Sequence, residues 1–188
     1  MEEEHAKIFV IAGPSGVGKG TIVKAMAARS PKIWVSISAT TRAPRPHEVD
    51  GESYFFVTDE EFDRMVATGQ MLEWAVVHGN AKYGTPRAPI EEALRAGEVP
   101  VLEIDVAGAR QVRTSAPEAV QIFIAPPSWE ELERRLRGRG TETETQIARR
   151  LQTAQSELAA EPEFDIVVVN DTVARATGQI LQIMGLEG

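Results

Sequence analysis

The chain has 188 residues, 43% of them hydrophobic and 26% charged, enough for one domain with a sizeable core and short for two independent ones. Its net charge of −8 opposes non-specific attachment to nucleic acid or to an anionic membrane, so neither is expected as a partner and the ligands should be small. With no cysteine, disulfides, thiolate zinc sites and thiol nucleophiles are excluded; the acidic start Met1-Glu2-Glu3-Glu4 lacks the basic flank of a secretion signal, and a cytoplasmic location is the expectation.

The first predicted strand is the apolar run 8–12, which leads directly into Gly13-Pro14-Ser15-Gly16-Val17-Gly18-Lys19-Gly20-Thr21 and then a helical pattern. In that setting the glycines let successive backbone N–H groups turn inward, and Lys19 with the helix N-terminus adds positive potential for the phosphates of a nucleotide. A glycine-rich turn that merely ends a buried strand is the alternative, and the strand-loop-helix order disfavours it. Gly20 stands directly after Lys19, where a hydroxyl is expected, with Thr21 one place further on. Either Thr21 or a water therefore completes the shell of a Mg²⁺ ion accompanying the phosphates.

A Pro/Arg-rich loop follows, Ser38-Ala39-Thr40-Thr41-Arg42-Ala43-Pro44-Arg45-Pro46, with β-like segments at 54–57 and 71–77, a hairpin turn at 79–83, and Thr85-Pro86 placing proline at a first helical position. Apolar runs at 99–104, 120–124 and 166–169 then alternate with helical patterns, which predicts an α/β fold with a parallel sheet covered by helices. Capping boxes are read at Ser128-Trp129-Glu130-Glu131 and Thr141-Glu142-Thr143-Glu144. The glycine-punctuated, charged stretch beginning at Arg137 suits a mobile lid. The expected division is a core of 1–37, 99–136 and 151–188, an insertion over 38–98 and a lid over 137–150. His5, His47 and His78 show no ligand spacing, so no zinc site is expected.

With loop, insertion and lid assembled, the whole chain resembles the guanylate kinases, nucleoside monophosphate kinases of the P-loop fold that phosphorylate GMP with ATP. The resemblance is carried in order by residues 13–21, 38–45, Gly51-Glu52-Ser53-Tyr54, Leu72-Glu73-Trp74, Tyr83-Gly84-Thr85, Glu103-Ile104-Asp105, 124–128, Gly138-Arg139-Gly140-Thr141 and Val169-Asn170-Asp171. It implies that residues 13–21 bind ATP and that the small insertion binds GMP.

For the GMP phosphate the resemblance implies Arg42 and Arg45, forked donors suited to a dianion, with Tyr54 and Tyr83 and with Ser38 and Thr85 nearby. Arginines beside prolines that only solvate a surface loop are the alternative. Guanine presents N1–H and N2–H₂ as adjacent donors that one carboxylate accepts together; by resemblance Glu73 is that carboxylate and Asp105 a second one. Otherwise Glu73 is an exposed strand residue, and Asp105 the N-cap of a helix beginning near Ala107. Glu103 is placed near Mg²⁺ through water, or else is a buried acid paired with Lys19 or an arginine.

Matching the lid pattern singles out Arg135, Arg139 and Arg150 for the triphosphate and transition state, while helix-face pairs such as Glu131 with Arg135 would hold an arginine structurally instead. Asn170 is implied as an adenine contact, with an ordinary turn and helix cap equally open. The expected reaction moves the γ-phosphoryl group of ATP to GMP, and to dGMP, with Mg²⁺ as cofactor. Two other readings stay open: a kinase for another nucleoside monophosphate, and a non-catalytic interaction module of the same fold.

Overall fold

Residues 7–77, 79–138 and 142–186 are described in a computed structural model. In chain order the elements are β1 (Phe9–Ala12), α1 (Lys19–Arg29), β2 (Ile33–Val35), β3 (Ala39–Thr40), β4 (Phe55–Phe56), α2 (Asp59–Ala67), β5 (Met71–Val77) and β6 (Ala81–Pro86). There follow α3 (Arg87–Arg95), β7 (Val99–Glu103), α4 (Val106–Ser115), β8 (Val120–Ala125), α5 (Trp129–Arg137), α6 (Glu144–Leu158), β9 (Ile166–Val169) and α7 (Val173–Ile183).

Five strands form one parallel sheet in the order β2-β7-β1-β8-β9, with Phe9 opposite Val101 on one side and Val120 on the other. Because side chains alternate along β1, its residues feed two separate cores. Phe9 and Ile11 join Ile22 and Met26 of α1, Leu132 and Leu136 of α5, and Ile180 of α7; Val10 and Ala12 join Ile90 of α3 and Ala109 and Val112 of α4. Covering both faces this way explains why the strands read as continuous apolar runs, each fully buried large side chain contributing about 1.5–3 kcal/mol. The expected α/β architecture is the observed one.

The predicted strands at 8–12, 99–104, 120–124 and 166–169 correspond to β1, β7, β8 and β9, with ends moved by no more than one residue. The edge strand β2 was not legible: it is three residues long, half-buried throughout, and paired only with β7. A second sheet, β4-β3-β6-β5, lies entirely within residues 39–86 and is antiparallel except between β3 and β4. Within it β5 has the predicted bounds. The hairpin turn is shorter than the expected 79–83, since pairing resumes at Ala81 opposite Val77 and Tyr83 sits on β6 opposite Ala75.

Three helix caps differ from the sequence reading. Pro86 is the N-cap of α3 and not its first helical residue. Ser128 caps α5 by accepting from Glu131 N–H at 3.1 Å, but no reciprocal bond forms because the Glu131 carboxylate is drawn to Arg134 and Arg135, which hold its pKa at about 2. The capping box of α6 is Thr143 with Gln146, not Thr141 with Glu144; Thr141 lies outside the described residues. Both spacings satisfy the pattern, and the second one leaves Glu144 to bridge to Arg137 at 3.0 Å while Ile147 and Ala154 turn into the protein.

Candidate active site

The loop between β1 and α1 is bent by glycines whose replacement the surroundings forbid. Gly13 has φ 148°, and a methyl group built on it would meet the Ile124 carbonyl oxygen at 2.4 Å; Gly18 has φ 101° and caps α1 with Asn170 Nδ2 closing in behind it. Lys19 folds back along the loop, donating from Nζ to the carbonyls of Gly13 at 2.6 Å and Pro14 at 3.2 Å. Burial lowers its pKa, opposed by the nearby carboxylates of Glu157, Glu103 and Asp105.

The loop is gripped from two elements far along the chain. Arg150 on α6 donates from Nη2 to the Ser15 hydroxyl at 3.0 Å and pairs with Glu142, while Glu157 on the same helix accepts from Ser15 N–H at 3.2 Å. On the other side the Val17 carbonyl accepts from Asn170 Nδ2 at 2.8 Å and from Arg135 Nη1 at 3.2 Å. Arg135 also donates to Glu131 and to the Asn170 carbonyl, so the helix-face pair considered from sequence is present. Asn170 is only 3% exposed; its backbone N–H bonds Ala125, and its Oδ1 has no partner among the described residues. The helix after it is capped by Thr172 rather than by Asn170 or Asp171. Arg139 lies outside the described residues.

The second sheet brings a cationic and aromatic group together. Arg42 donates from Nε to the Tyr83 hydroxyl at 3.0 Å, and its guanidinium carbon lies 5.3 Å from the Tyr54 ring centroid, with the Tyr54 and Tyr83 rings edge-to-face at 5.9 Å. Arg45 is exposed, and Ser38 supports the cluster through its carbonyl, which accepts from Phe55 N–H. Glu48, which no local sequence motif marks, forms a bidentate pair with Arg42; that pair first, then the Arg45 N–H, hold its pKa at about 2.

Glu73 on β5 accepts from the Thr85 hydroxyl at 2.6 Å, Thr85 being 1% exposed on β6. Asp105 caps α4, accepting from Gly108 N–H at 2.7 Å, and α4 begins at Val106, one residue before the expected start. The two carboxylates converge: a methyl group built on Gly108 would stand 3.0 Å from Glu73 Oε2 and 3.2 Å from Asp105 Oδ1. Burial raises the pKa of Glu73, the Thr85 bond opposes that rise, and the Asp105 charge adds to it. Glu103 ends β7 exposed rather than buried. Its Oε1 lies 3.3 Å from where a Cβ on Gly20 would be, and Thr21 is exposed in the first turn of α1. Carboxylate and hydroxyl oxygens beside a phosphate loop suit magnesium, which takes few protein ligands and keeps phosphate and water oxygens.

The profile of the guanylate kinase family matches residues 5–186. The chain belongs to the guanylate kinase family. It is 59% identical over 179 residues to the guanylate kinase of Parasynechococcus marenigrum (strain WH8102), covering 95% of this chain and 98% of that one. Identity to the guanylate kinase of Thermobifida fusca (strain YX) is 53% over 182 residues, 97% of this chain and 92% of the relative. The crystal structure of guanylate kinase from Anaplasma phagocytophilum superposes with a TM-score of 0.70 at 30% identity, covering 96% of this chain and 86% of that one. Guanylate kinase similarity thus spans both sheets and the segments that hold Lys19, Arg42 and Glu73. Among the described residues no helix is long and apolar enough to cross a membrane.

Proposed function

We propose that the protein transfers the γ-phosphoryl group of ATP to GMP, and to dGMP, giving ADP and the nucleoside diphosphate. The single observation that carries this reading is the approach over Gly108 of two carboxylates, Glu73 from the small sheet that also carries Tyr83, Arg42's partner, and Asp105 from the cap of α4. A carboxylate pair suits the adjacent N1–H and N2–H₂ donors of guanine, and adenine offers no such edge. Arg42, Arg45, Tyr54 and Tyr83 take the acceptor's phosphate, with Ser38 and Thr85 shaping the pocket around it.

Phosphoryl transfer requires alignment of two oxygens and neutralisation of charge spread over the moving group. Residues 13–21 cradle the triphosphate with Lys19 as the fixed cation, and Arg135, Arg139 and Arg150 bring further positive charge. Asn170 holds the loop in shape from below the adenine side. Thr21 and, through water, Glu103 would hold magnesium, which supplies neutralisation of the terminal phosphate oxygens when bound. Closure of 38–98 over the monophosphate and of 137–150 over the triphosphate, against the core of 1–37, 99–136 and 151–188, excludes water from the transfer. An acidic surface and substrates of this kind fit a cytoplasmic protein.

One assay tests the reading: ADP release measured with GMP, dGMP, AMP and UMP as acceptors. GMP should be the preferred acceptor. Equal or greater turnover with AMP would make this a kinase for another base, and no ADP release with any acceptor would make it an interaction module.

A further inference from the structure

Glu48 is not among the residues assigned to substrate, yet both of its oxygens lie 2.9 Å from the terminal nitrogens of Arg42, and Oε2 also accepts from Arg45 N–H at 2.7 Å. The turn that aims it is unusual. His47, directly before it, has φ 71°, the single positive φ of a non-glycine residue among the described residues, and such a conformation persists only where neighbours hold it. Glu48 N–H closes the turn on the Arg45 carbonyl at 3.1 Å. Arg42 and Glu48 side chains are 17% and 20% exposed, so the pair is sheltered without being dry.

The donors of Arg42 can be accounted for individually. Nε serves the Tyr83 hydroxyl, Nη1 serves the Ala43 carbonyl and Glu48 Oε2, and Nη2 serves Glu48 Oε1. A guanidinium has five N–H groups in a rigid plane, so among the described residues one N–H on Nη2 remains, on the edge shared with Nε. Tyr83 accepts on that same edge, which leaves its own proton for an outside acceptor. Glu48 therefore occupies the end of the fork and leaves a two-pronged edge, Nη2–H and Tyr83 O–H, for an anionic oxygen.

We propose that Glu48 is a positioning residue for the acceptor: aimed by the left-handed turn at His47, it locks Arg42 so that this edge faces the phosphate of the nucleoside monophosphate. The inference rests on the reading of Arg42 and Tyr83 as phosphate-binding residues. A rotatable arginine offers the same charge in many directions, whereas a locked one offers two donors in a single plane, and the gain is in the ordering already done before substrate arrives.

The test is calorimetric titration of GMP into the wild type, Glu48→Gln, Arg42→Ala and the double variant, with ATP titration and thermal unfolding in parallel. Arg42→Ala should weaken GMP by about 100-fold or more and Glu48→Gln by roughly ten-fold, with ATP affinity held within about two-fold. The double variant should be no weaker than Arg42→Ala, because Glu48 acts through Arg42. Unchanged GMP affinity in Glu48→Gln, with Arg42→Ala still impaired, overturns the positioning role and leaves the phosphate reading standing. Tighter GMP binding in Glu48→Gln overturns it as well, since the carboxylate would then be a competitor of the phosphate. An unimpaired Arg42→Ala overturns the phosphate reading and this inference with it. Should Glu48→Gln fail to fold, Glu48→Asp, which keeps the charge but withdraws the oxygens from the fork, replaces it under the same criteria.

Discussion

The side-chain amide of Asn170 closes on the carbonyl of Val17 at 2.8 Å, joining positions 153 residues apart. Arg135 reaches the same carbonyl, so the bend of the phosphate loop is held by two donors, one after the edge strand β9 and one on α5. Asn170→Ala should remove about 1–3 kcal/mol of stability, because a buried carbonyl loses its better partner, and should raise the KM for ATP more than that for GMP. Asn170→Asp should be worse, placing a carboxylate against a carbonyl oxygen. Thermal unfolding and steady-state kinetics on the two variants measure this; a KM effect falling equally on both substrates would contradict the assignment.

Acceptor binding should weaken as pH falls, and Glu73 is the reason. Its folded pKa is raised above the ordinary 4.5 by burial, so its protonated form is the one the fold favours. The stability it contributes is therefore fully present below its unfolded pKa and is lost as pH rises through the higher folded value. The proposed recognition of guanine runs the other way, since only the carboxylate would accept both guanine donors. KM for GMP should climb as pH drops from neutrality through a window lying above 4.5. In Glu73→Gln it should be roughly 10–100-fold higher at neutral pH and should vary across that window only with GMP's own phosphate, whose second pKa is about 6, with the KM for ATP little changed.

Gly108 is where the Glu73 and Asp105 carboxylates converge. Gly108→Ala favours the helix by up to about 1 kcal/mol on propensity alone, yet its methyl group would press on Glu73 Oε2 and Asp105 Oδ1. The expected result is a variant that melts no lower than the wild type and binds GMP several-fold more weakly. Normal GMP affinity would show that the carboxylates are not held where the base sits.

Arg150 and Arg134 provide a matched pair of substitutions. Arg134 is exposed and, among the described residues, paired only with Glu131, so Arg134→Ala should change stability by less than about 1 kcal/mol and leave kcat alone. Arg150 faces the phosphate loop through Ser15, and Arg150→Ala should lower kcat by about 10³-fold. Comparable kcat in the two would remove Arg150 from the transfer step.

Local patterns carried much of this molecule. The strand before Gly13, the loop through Thr21, the apolar runs of β7, β8 and β9, and the resemblance that singled out Glu73 and Arg42 are all contiguous segments whose chemistry is written in neighbouring residues. What escaped notice depends on distance or on competition. Glu48 and Glu157 announce nothing locally, since one is aimed by a left-handed histidine and the other meets Ser15 across 142 residues. The capping box is Thr143 with Gln146 rather than the one read at Thr141, because two overlapping patterns both satisfy the rule. Strand β2 is too short for alternation to register, and its pairing with β7 is its whole definition. Arg135 is read both as a substrate-reaching side chain and as a helix-face partner, and its bonds run both to Glu131 on its own helix and to the Val17 carbonyl in the phosphate loop, which no local pattern shows.

The central place of β1 carries a consequence for how the chain is made. Its two hydrogen-bonded neighbours are β7 and β8, so the first strand to leave the ribosome waits for residues near position 103 before one flank is paired and near position 125 before both are. Until the final strand has emerged, the nascent polypeptide carries every glycine of its nucleotide cradle without the scaffold that gives the cradle its shape, and ATP capture becomes a property only of the finished translation product.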